Sequence, residues 1–370
     1  MNKDNIAQIP WASPALWGNE EGMVLEALKS TWISGGPYVE RFEQELSVIL
    51  GTKYTCAVMN GTAALHAAYL GLQLRPGDEI VVPGFAFMGA ANIALHVGAV
   101  PVFVEVDPDT WCITAESIES RLSSRTKAIV AIHTYGNVCD MDSILALANK
   151  KNIPVIEDAA ESFASRYNGR YSGTLGTIGI YSFHATKTIT TGEGGMVATN
   201  VKELADRISL YRSHGLLRKR HYWHELPGHN FRLTNLQAAL GCAQLEKLGT
   251  IVRERERVHA RYQARLARIA GIVPQRFSPR VNPVIWAIAV KLDPAAFPQG
   301  RDAAMAQMQE AGIETRPGFY AASMMPHNYS CSKLPVCENL SQQVISLPTF
   351  STLTDEQIEL ICDRLESLRR

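Results

Sequence analysis

At 370 residues and 46% hydrophobic, the chain is too long for one small core and can bury a large domain plus a smaller one, so two lobes with a cleft between them are expected. Lys plus Arg and Asp plus Glu number 36 each, so no net field draws the protein toward nucleic acid or an anionic membrane, and a small-molecule partner is the expectation. The seven cysteines are odd in number and scattered, and the ten histidines include no H-E-x-x-H and none paired with cysteine at zinc spacing; reduced cytoplasmic thiols and no metal are expected.

The opening stretch, MNKDNIAQIPWASPALWGNEEG, has no uninterrupted apolar run of the secretory kind, and the most apolar long stretch, Gly89 to Val106, is broken by Asn92, His96 and Pro101. The reading is a soluble, unexported protein. From about Tyr54 to Asn200 short β-rich runs alternate with helical patterns, the signature of a mostly parallel sheet with helices on its faces. The predicted strands are YTCAVM, EIVVP, VPVFVEV, KAIVAIH, IPVIED, IGIYSF and GMVAT; the predicted helices between them are TAALHAAYLGL, the segment from Met88 to His96, TAESIESRL and MDSILALANK. Strand ends that follow one another in this way bring their loops to one rim, where α/β proteins bind ligands.

After Thr234 the pattern turns to long helical stretches, NLQAALGCAQLEKL and IVRERERVHARYQARLARIA, read as a bridge between lobes with the boundary near residue 250, so that 1–250 forms the large domain and 251–370 the small one. A strand is predicted around VIWAIAVKL, a helix around AAMAQMQEAG, a loop from Arg316 to Pro335, and a closing helix at TDEQIELICDRLESL.

Four strand ends carry the chemistry. In SFHATKTITTGEGGMV, Lys187 lies a few residues beyond a strand, within a polar but mostly uncharged surround of Ser182, His184 and several threonines. A lysine that attacks an aldehyde must be neutral for part of its cycle, and such a partly desolvated site lowers its pKa. In IPVIEDAAES a buried strand delivers Glu157 and Asp158 to its end. Taken alone, Asp158 suits the cap of a helix beginning AAES; beside a lysine, it suits the carboxylate that keeps the ring nitrogen of pyridoxal phosphate protonated. In MNGTAALHAA a strand runs through Asn60, Gly61 and Thr62 into a helix, presenting backbone N–H groups and a positive dipole end to a phosphate. In PGFAFMG, Phe87 stands just beyond a strand, where its ring can lie against a planar cofactor.

These segments together, from TWISGGPYVERFE through NGTAALHAA, EDAAES, SFHATKTITTGEGGMV and GHNFRLTNLQAALGCAQLE to ISLPTFSTLT, resemble the DegT/DnrJ/EryC1/StrS family of sugar aminotransferases over essentially the whole length. The resemblance implies an α/β protein of the aspartate-aminotransferase type, fold type I, with a mixed, mostly parallel sheet, helices on both faces and a smaller C-terminal α+β domain. It also implies pyridoxal 5'-phosphate as cofactor and a homodimer with shared active sites. By motif match Lys187 bonds the cofactor as a Schiff base, Asp158 pairs with the pyridine nitrogen, Phe87 stacks on the ring, Gly61, Thr62 and Ser182 hold the phosphate, Glu161 lies near the ring hydroxyl, and Asn230 reaches the phosphate from the neighbouring subunit. Arg316 and Tyr320 are candidate sugar or nucleotide contacts.

Within the family, TWIS, CDMDSIL, EDAAE, YWH and RLTNLQAA are similar to the members that aminate C4 of a GDP-linked 4-keto-6-deoxy sugar, with L-glutamate as the implied donor. Pro283, Ile288 and Ser323 depart from that subgroup, which carries histidine or aromatic residues there, so a UDP- or dTDP-linked or nucleotide-free keto sugar stays open. A sugar dehydratase is disfavoured by Lys187 and by the lack of a compact cysteine cluster. A regulatory protein that only binds the cofactor finds no support in an appended DNA-binding module or in net charge.

Overall fold

The structure, a computed structural model, describes residues 8–217, 219–326, 329 and 331–370. In chain order its elements are α1 (Glu20–Lys29), α2 (Pro37–Leu50), β1 (Tyr54–Val58), α3 (Gly61–Gly71), β2 (Glu79–Pro83), α4 (Gly89–His96), β3 (Val100–Val104), α5 (Ala115–Glu119), β4 (Thr126–Ile132), α6 (Met141–Lys151), β5 (Val155–Asp158), β6 (Arg166–Tyr167), β7 (Arg170–Tyr171), β8 (Ile178–Ser182) and β9 (Gly195–Thr199). There follow α7 (Lys202–Arg212), α8 (Asn235–Glu246), α9 (Leu248–Leu266), β10 (Ile272–Pro274), β11 (Val281–Asn282), β12 (Ile288–Leu292), α10 (Gly300–Glu310), β13 (Arg316–Pro317), α11 (Pro335–Gln343), β14 (Val344–Leu347) and α12 (Asp355–Ser367).

All seven strands predicted before residue 200 form one sheet in the order β1-β9-β8-β5-β4-β2-β3. The pairs β2–β3, β2–β4, β4–β5 and β5–β8 are parallel, and β9 runs against both β1 and β8. The expected mixed, mostly parallel sheet is therefore present. Every residue of β2, β5, β8 and β9 is buried, as Val- and Ile-rich strands require when both sheet faces are covered. Alternate residues of the strands feed two different cores: Val58, Ile180 and Val197 pack with α3 and α4, whereas Ala57, Tyr181, Met196 and Ala198 pack with α1, α2 and α8. Helices thus cover both faces.

Local sequence sets the helix ends. Pro37 occupies the first turn of α2 and Gly51 closes it at φ +66°. Thr234 with Gln237 and Thr354 with Gln357 form reciprocal capping boxes at the starts of α8 and α12.

A second, antiparallel sheet has the order β10-β12-β14-β13. It packs with α9 and α12 through Val258, Tyr262, Val290, Ile345, Ile358 and Ile361, and Ile9 from the N-terminal arm joins this core. The predicted strand VIWAIAVKL is shorter than expected: only Ile288–Leu292 is strand, and ahead of it the Val284 N–H donates to Ser165 Oγ at 2.8 Å, in the loop after β5. Of the predicted loop from Arg316 to Pro335, Arg316–Pro317 adds an edge strand and Ala322–Met324 a single 3₁₀ turn, while His327, Asn328 and Ser330 lie outside the described residues. Among the described residues, no helix is long and apolar enough to cross a membrane.

Candidate active site

The last two residues of β5 show how the sheet sorts side chains, because neighbours on a strand face opposite sides. Glu157 is fully buried and accepts hydrogen bonds from the backbone N–H groups of Gly173 (2.8 Å), Leu175 (2.6 Å) and Gly176 (2.5 Å), knitting the turn before β8. His133 takes an N–H bond from Cys139 on Nδ1 (3.3 Å), so its Nε2–H donates to Glu157 at 2.9 Å. Asp158 points the other way. It lines a cavity of about 490 Å³, and its Oδ1 accepts the Ala160 N–H at 3.0 Å. No helix begins at AAES, so the alternative reading of Asp158 as a helix cap does not hold; the bond to Ala160 is a short turn closed by the side chain.

The cavity gathers Gly61, Thr62, Phe87, Asp158, Glu161, Ser182 and Lys187 from four strand ends. Gly61 and Thr62 open α3, whose cap Asn60 takes the Ala63 N–H on its side chain (2.8 Å) and the Ala64 N–H on its carbonyl (3.1 Å). A Cβ at Gly61 would stand 3.0 Å from the Ser182 Cβ, so glycine there lets β8 and the start of α3 close into a shallow cradle. Phe87 is 65% exposed and lines the cavity, so its ring is open to a flat ligand there. Asn230, Arg316 and Tyr320 are not among the lining residues. Asn230 is exposed and accepts from Arg232 Nε (3.1 Å), Arg316 pairs with Glu314, and Tyr320 lies beside the Arg301 guanidinium, 5.4 Å from its ring centroid.

Burial dominates the electrostatics. It holds the Lys187 ammonium below its ordinary pKa, helped by the Arg255 cation and opposed by Glu161 and Asp158. The same desolvation raises Asp158 and raises Glu161 to about 7, against the pull of Lys187 and, for Glu161, of the Tyr135 N–H that donates to it at 2.8 Å. The arrangement is a nucleophile-competent amine between two reluctant carboxylates, with room beside it for a planar ligand.

Four contributors escape the sequence reading. Trp286 and Phe319 close the wall opposite β5, and Lys187 Nζ lies 3.6 Å from the Trp286 ring centroid. Tyr135 holds a left-handed backbone, φ +59°, which aims its N–H at Glu161. Arg255 is buried on α9 and donates to the carbonyls of Ile285 (3.0 Å), Trp286 (3.2 Å) and Lys187 (3.3 Å). The residue after HT in HTYGN and the second arginine of VRERER carry no local signal of these roles, and Trp286 sits inside a run whose apolar pattern is that of a strand.

The DegT/DnrJ/EryC1/StrS aminotransferase family profile matches residues 15–366. The GDP-perosamine synthase of Escherichia coli O157:H7 is 39% identical over 359 residues, covering 96% of this chain and 97% of that one. Among solved structures, the aminotransferase TlmJ from Streptoalloteichus hindustanus superposes with a TM-score of 0.92 at 30% identity over 97% and 98% of the two chains. The PLP-form of Spr1654 from Streptococcus pneumoniae does so with a TM-score of 0.92 at 25% identity over 98% of each. The chain belongs to the DegT/DnrJ/EryC1/StrS aminotransferase family, and it is a sugar aminotransferase that depends on pyridoxal 5'-phosphate.

Proposed function

We propose that this family member moves the amino group of L-glutamate onto C4 of a GDP-linked 4-keto-6-deoxy sugar, in the cytoplasm, as a homodimer in which Asn230 of the partner subunit completes each site. The single observation that carries the reading is the convergence of Lys187, Asp158 and Phe87 on one cavity. The cofactor fits it: an exposed aromatic face awaits a flat ring, a buried carboxylate with one oxygen engaged awaits a cationic N–H, and the Gly61 cradle at a helix start awaits a phosphate. The name of the Escherichia coli relative supports the GDP-linked amino sugar. The division near residue 250 belongs to the same proposal, with 1–250 binding the cofactor and 251–370 closing the cavity.

When bound, pyridoxal phosphate supplies an aldehyde for the amino group and a ring that takes up electron density. Lys187 would hold the cofactor through that aldehyde at rest. Asp158 would keep the ring nitrogen protonated, Phe87 would flank the ring, Glu161 would hydrogen-bond near the ring hydroxyl, and Gly61, Thr62 and Ser182 would hold the phosphate. Once displaced, the Lys187 amine would carry the proton from Cα of glutamate to the cofactor's aldehyde carbon, and in the second half-reaction it would carry a proton back from that carbon to C4 of the sugar. Arg316 and Tyr320 stay candidates for the sugar or nucleotide, reached from outside the present cavity wall.

A second reading replaces the sugar. The Ser323 hydroxyl donates to Glu338 at 2.7 Å and Ile288 is buried in β12, so neither offers the histidine or aromatic group of the GDP-sugar subgroup. The test is a panel of 4-keto and 3-keto sugars, linked to GDP, UDP or dTDP or free, incubated with glutamate and read by product mass. Amination of the GDP-linked 4-keto sugar is expected. Amination of other members alone would change the substrate and leave the aminotransferase in place.

A further inference from the structure

Trp286 is fixed from three sides. Its Nε1–H donates to the Thr186 carbonyl at 3.0 Å, its ring stacks on Tyr135 with centroids 6.1 Å apart and planes 14° apart, and Trp11 meets it edge-on at 5.4 Å. Tyr135 in turn stacks on Phe319 at 5.0 Å. The buried Arg255 guanidinium spans the carbonyls of Ile285, Trp286 and Lys187, so one rigid fork sets the chain that carries the ring against the chain that carries the amine. The outcome is a half-buried lysine whose Nζ lies 3.6 Å from the centre of an indole face.

An aminotransferase lysine spends part of each cycle unbonded, and an amine freed from that bond loses its fixed position. A ring face restores some of what the ammonium lost, because its quadrupole attracts the cation without a competing hydrogen-bond acceptor. Taking Lys187 as the residue that bonds the cofactor, we infer that Trp286 is a positioning residue whose ring face docks Lys187 Nζ whenever that bond is open, and that Arg255 sets the spacing of the dock. The charged groups around Nζ are Asp158 at the end of β5, Glu161 from the loop that follows, Arg255 from α9, and His184 with Glu193, which face each other at 3.8 Å on the cavity wall. Substituting the ring removes none of these charges, although it frees the Thr186 carbonyl and unstacks Tyr135, whose N–H donates to Glu161; Trp286→Phe, which keeps a ring against Tyr135, separates that effect from loss of the indole face.

The experiment uses the apoprotein. Acetylation of Lys187 by acetic anhydride, followed by peptide mass across a pH series, gives the midpoint at which the amine becomes reactive. Trp286→Leu keeps the wall apolar and removes the face; its midpoint should fall by about 0.5–1 pH unit, the equivalent of a partly desolvated cation–π contact. Trp286→Phe, which keeps a weaker face, should lie between the two. A Trp286→Leu midpoint equal to or above that of the native protein, in a variant of native melting temperature, overturns the inference. If that variant does not fold, Trp286→Phe decides alone, and an unmoved midpoint overturns it. Borohydride reduction of the cofactor-loaded native enzyme, read by mass at Lys187, separately tests the reading beneath it: label elsewhere than Lys187 would sink that reading rather than the dock.

Discussion

The two walls of the cavity are made differently. Asp158, Glu161, Ser182 and Lys187 stand at or just beyond the ends of two adjacent parallel strands, β5 and β8, and their wall is polar. Trp286 and Phe319 come from segments before β12 and after β13, and their wall is aromatic, with no charged lining residue on those segments. The first is set by strand geometry inside one sheet, whose central strands are buried on both faces and tolerate no slip of register. The second exists only because a separate antiparallel sheet docks against the first. The polar wall is therefore expected to hold the reaction, and the aromatic wall to hold the geometry around it.

The largest expected effect lies on the polar wall. Lys187→Ala should cost the glutamate half-reaction on the order of 10⁴-fold or more, measured by single-turnover loss of the cofactor's visible absorbance. A rate near that of the native enzyme would dissolve the distinction between the walls. Asp158→Asn keeps the shape and removes the charge; kcat should fall by about 10²–10³-fold, as for one buried electrostatic group aimed at the reacting system. A fall confined to KM would instead make Asp158 a binding residue.

Glu161 offers a test that needs no substrate. Its folded pKa, about 7, lies above the ordinary 4.5, so the folded apoprotein holds this proton more tightly than the unfolded chain. The stability it contributes is complete below the unfolded pKa and is lost as pH rises through the folded one. Glu161→Gln removes that slope, and at pH 8 it should be more stable than the native apoprotein by about 3 kcal/mol, the gain shrinking toward pH 4.5. Urea melts at the two pH values read this directly, and a pH-independent difference would rule out burial as the cause. The smallest effect is expected furthest from the polar wall: Arg316→Ala and Tyr320→Phe should leave the glutamate half-reaction within about 2-fold, since neither lines the cavity. Any larger loss would move the aromatic wall's neighbours into the chemistry; a loss seen only with the sugar would make them substrate contacts.

Much of the polar wall is legible in the amino-acid sequence, because each of its residues sits within a few positions of a strand that announces itself by β-branched runs. The cradle at Gly61 is legible for the same reason: a strand, a glycine turn and a helix start are consecutive. The helices α1 and α7 are not, their apolar positions being diluted by charge, whereas α2, with Tyr38, Phe42, Leu46 and Leu50 four residues apart between Pro37 and Gly51, carries a legible signal that a reading begun at Tyr54 passes over. VIWAIAVKL reads as one strand because periodicity cannot say where a buried apolar run leaves its sheet.

What the sequence determined by itself was local: the order of strands and helices, the lysine in its threonine-rich turn, and a carboxylate pair at the end of β5. Strand alternation alone does not say which member of the pair faces the cavity, and Asp158 is singled out in the sequence only by the lysine motif and the family match; the fold turns Glu157 toward the backbone of residues 173–176 and Asp158 into the cavity with Lys187. Nor could the sequence place Arg255 and Trp286 beside that lysine. Their hydrogen bonds to the lysine's own turn join residues 68 and 100 positions apart, and such contacts come into being only when two separately built sheets meet and bury the groups between them.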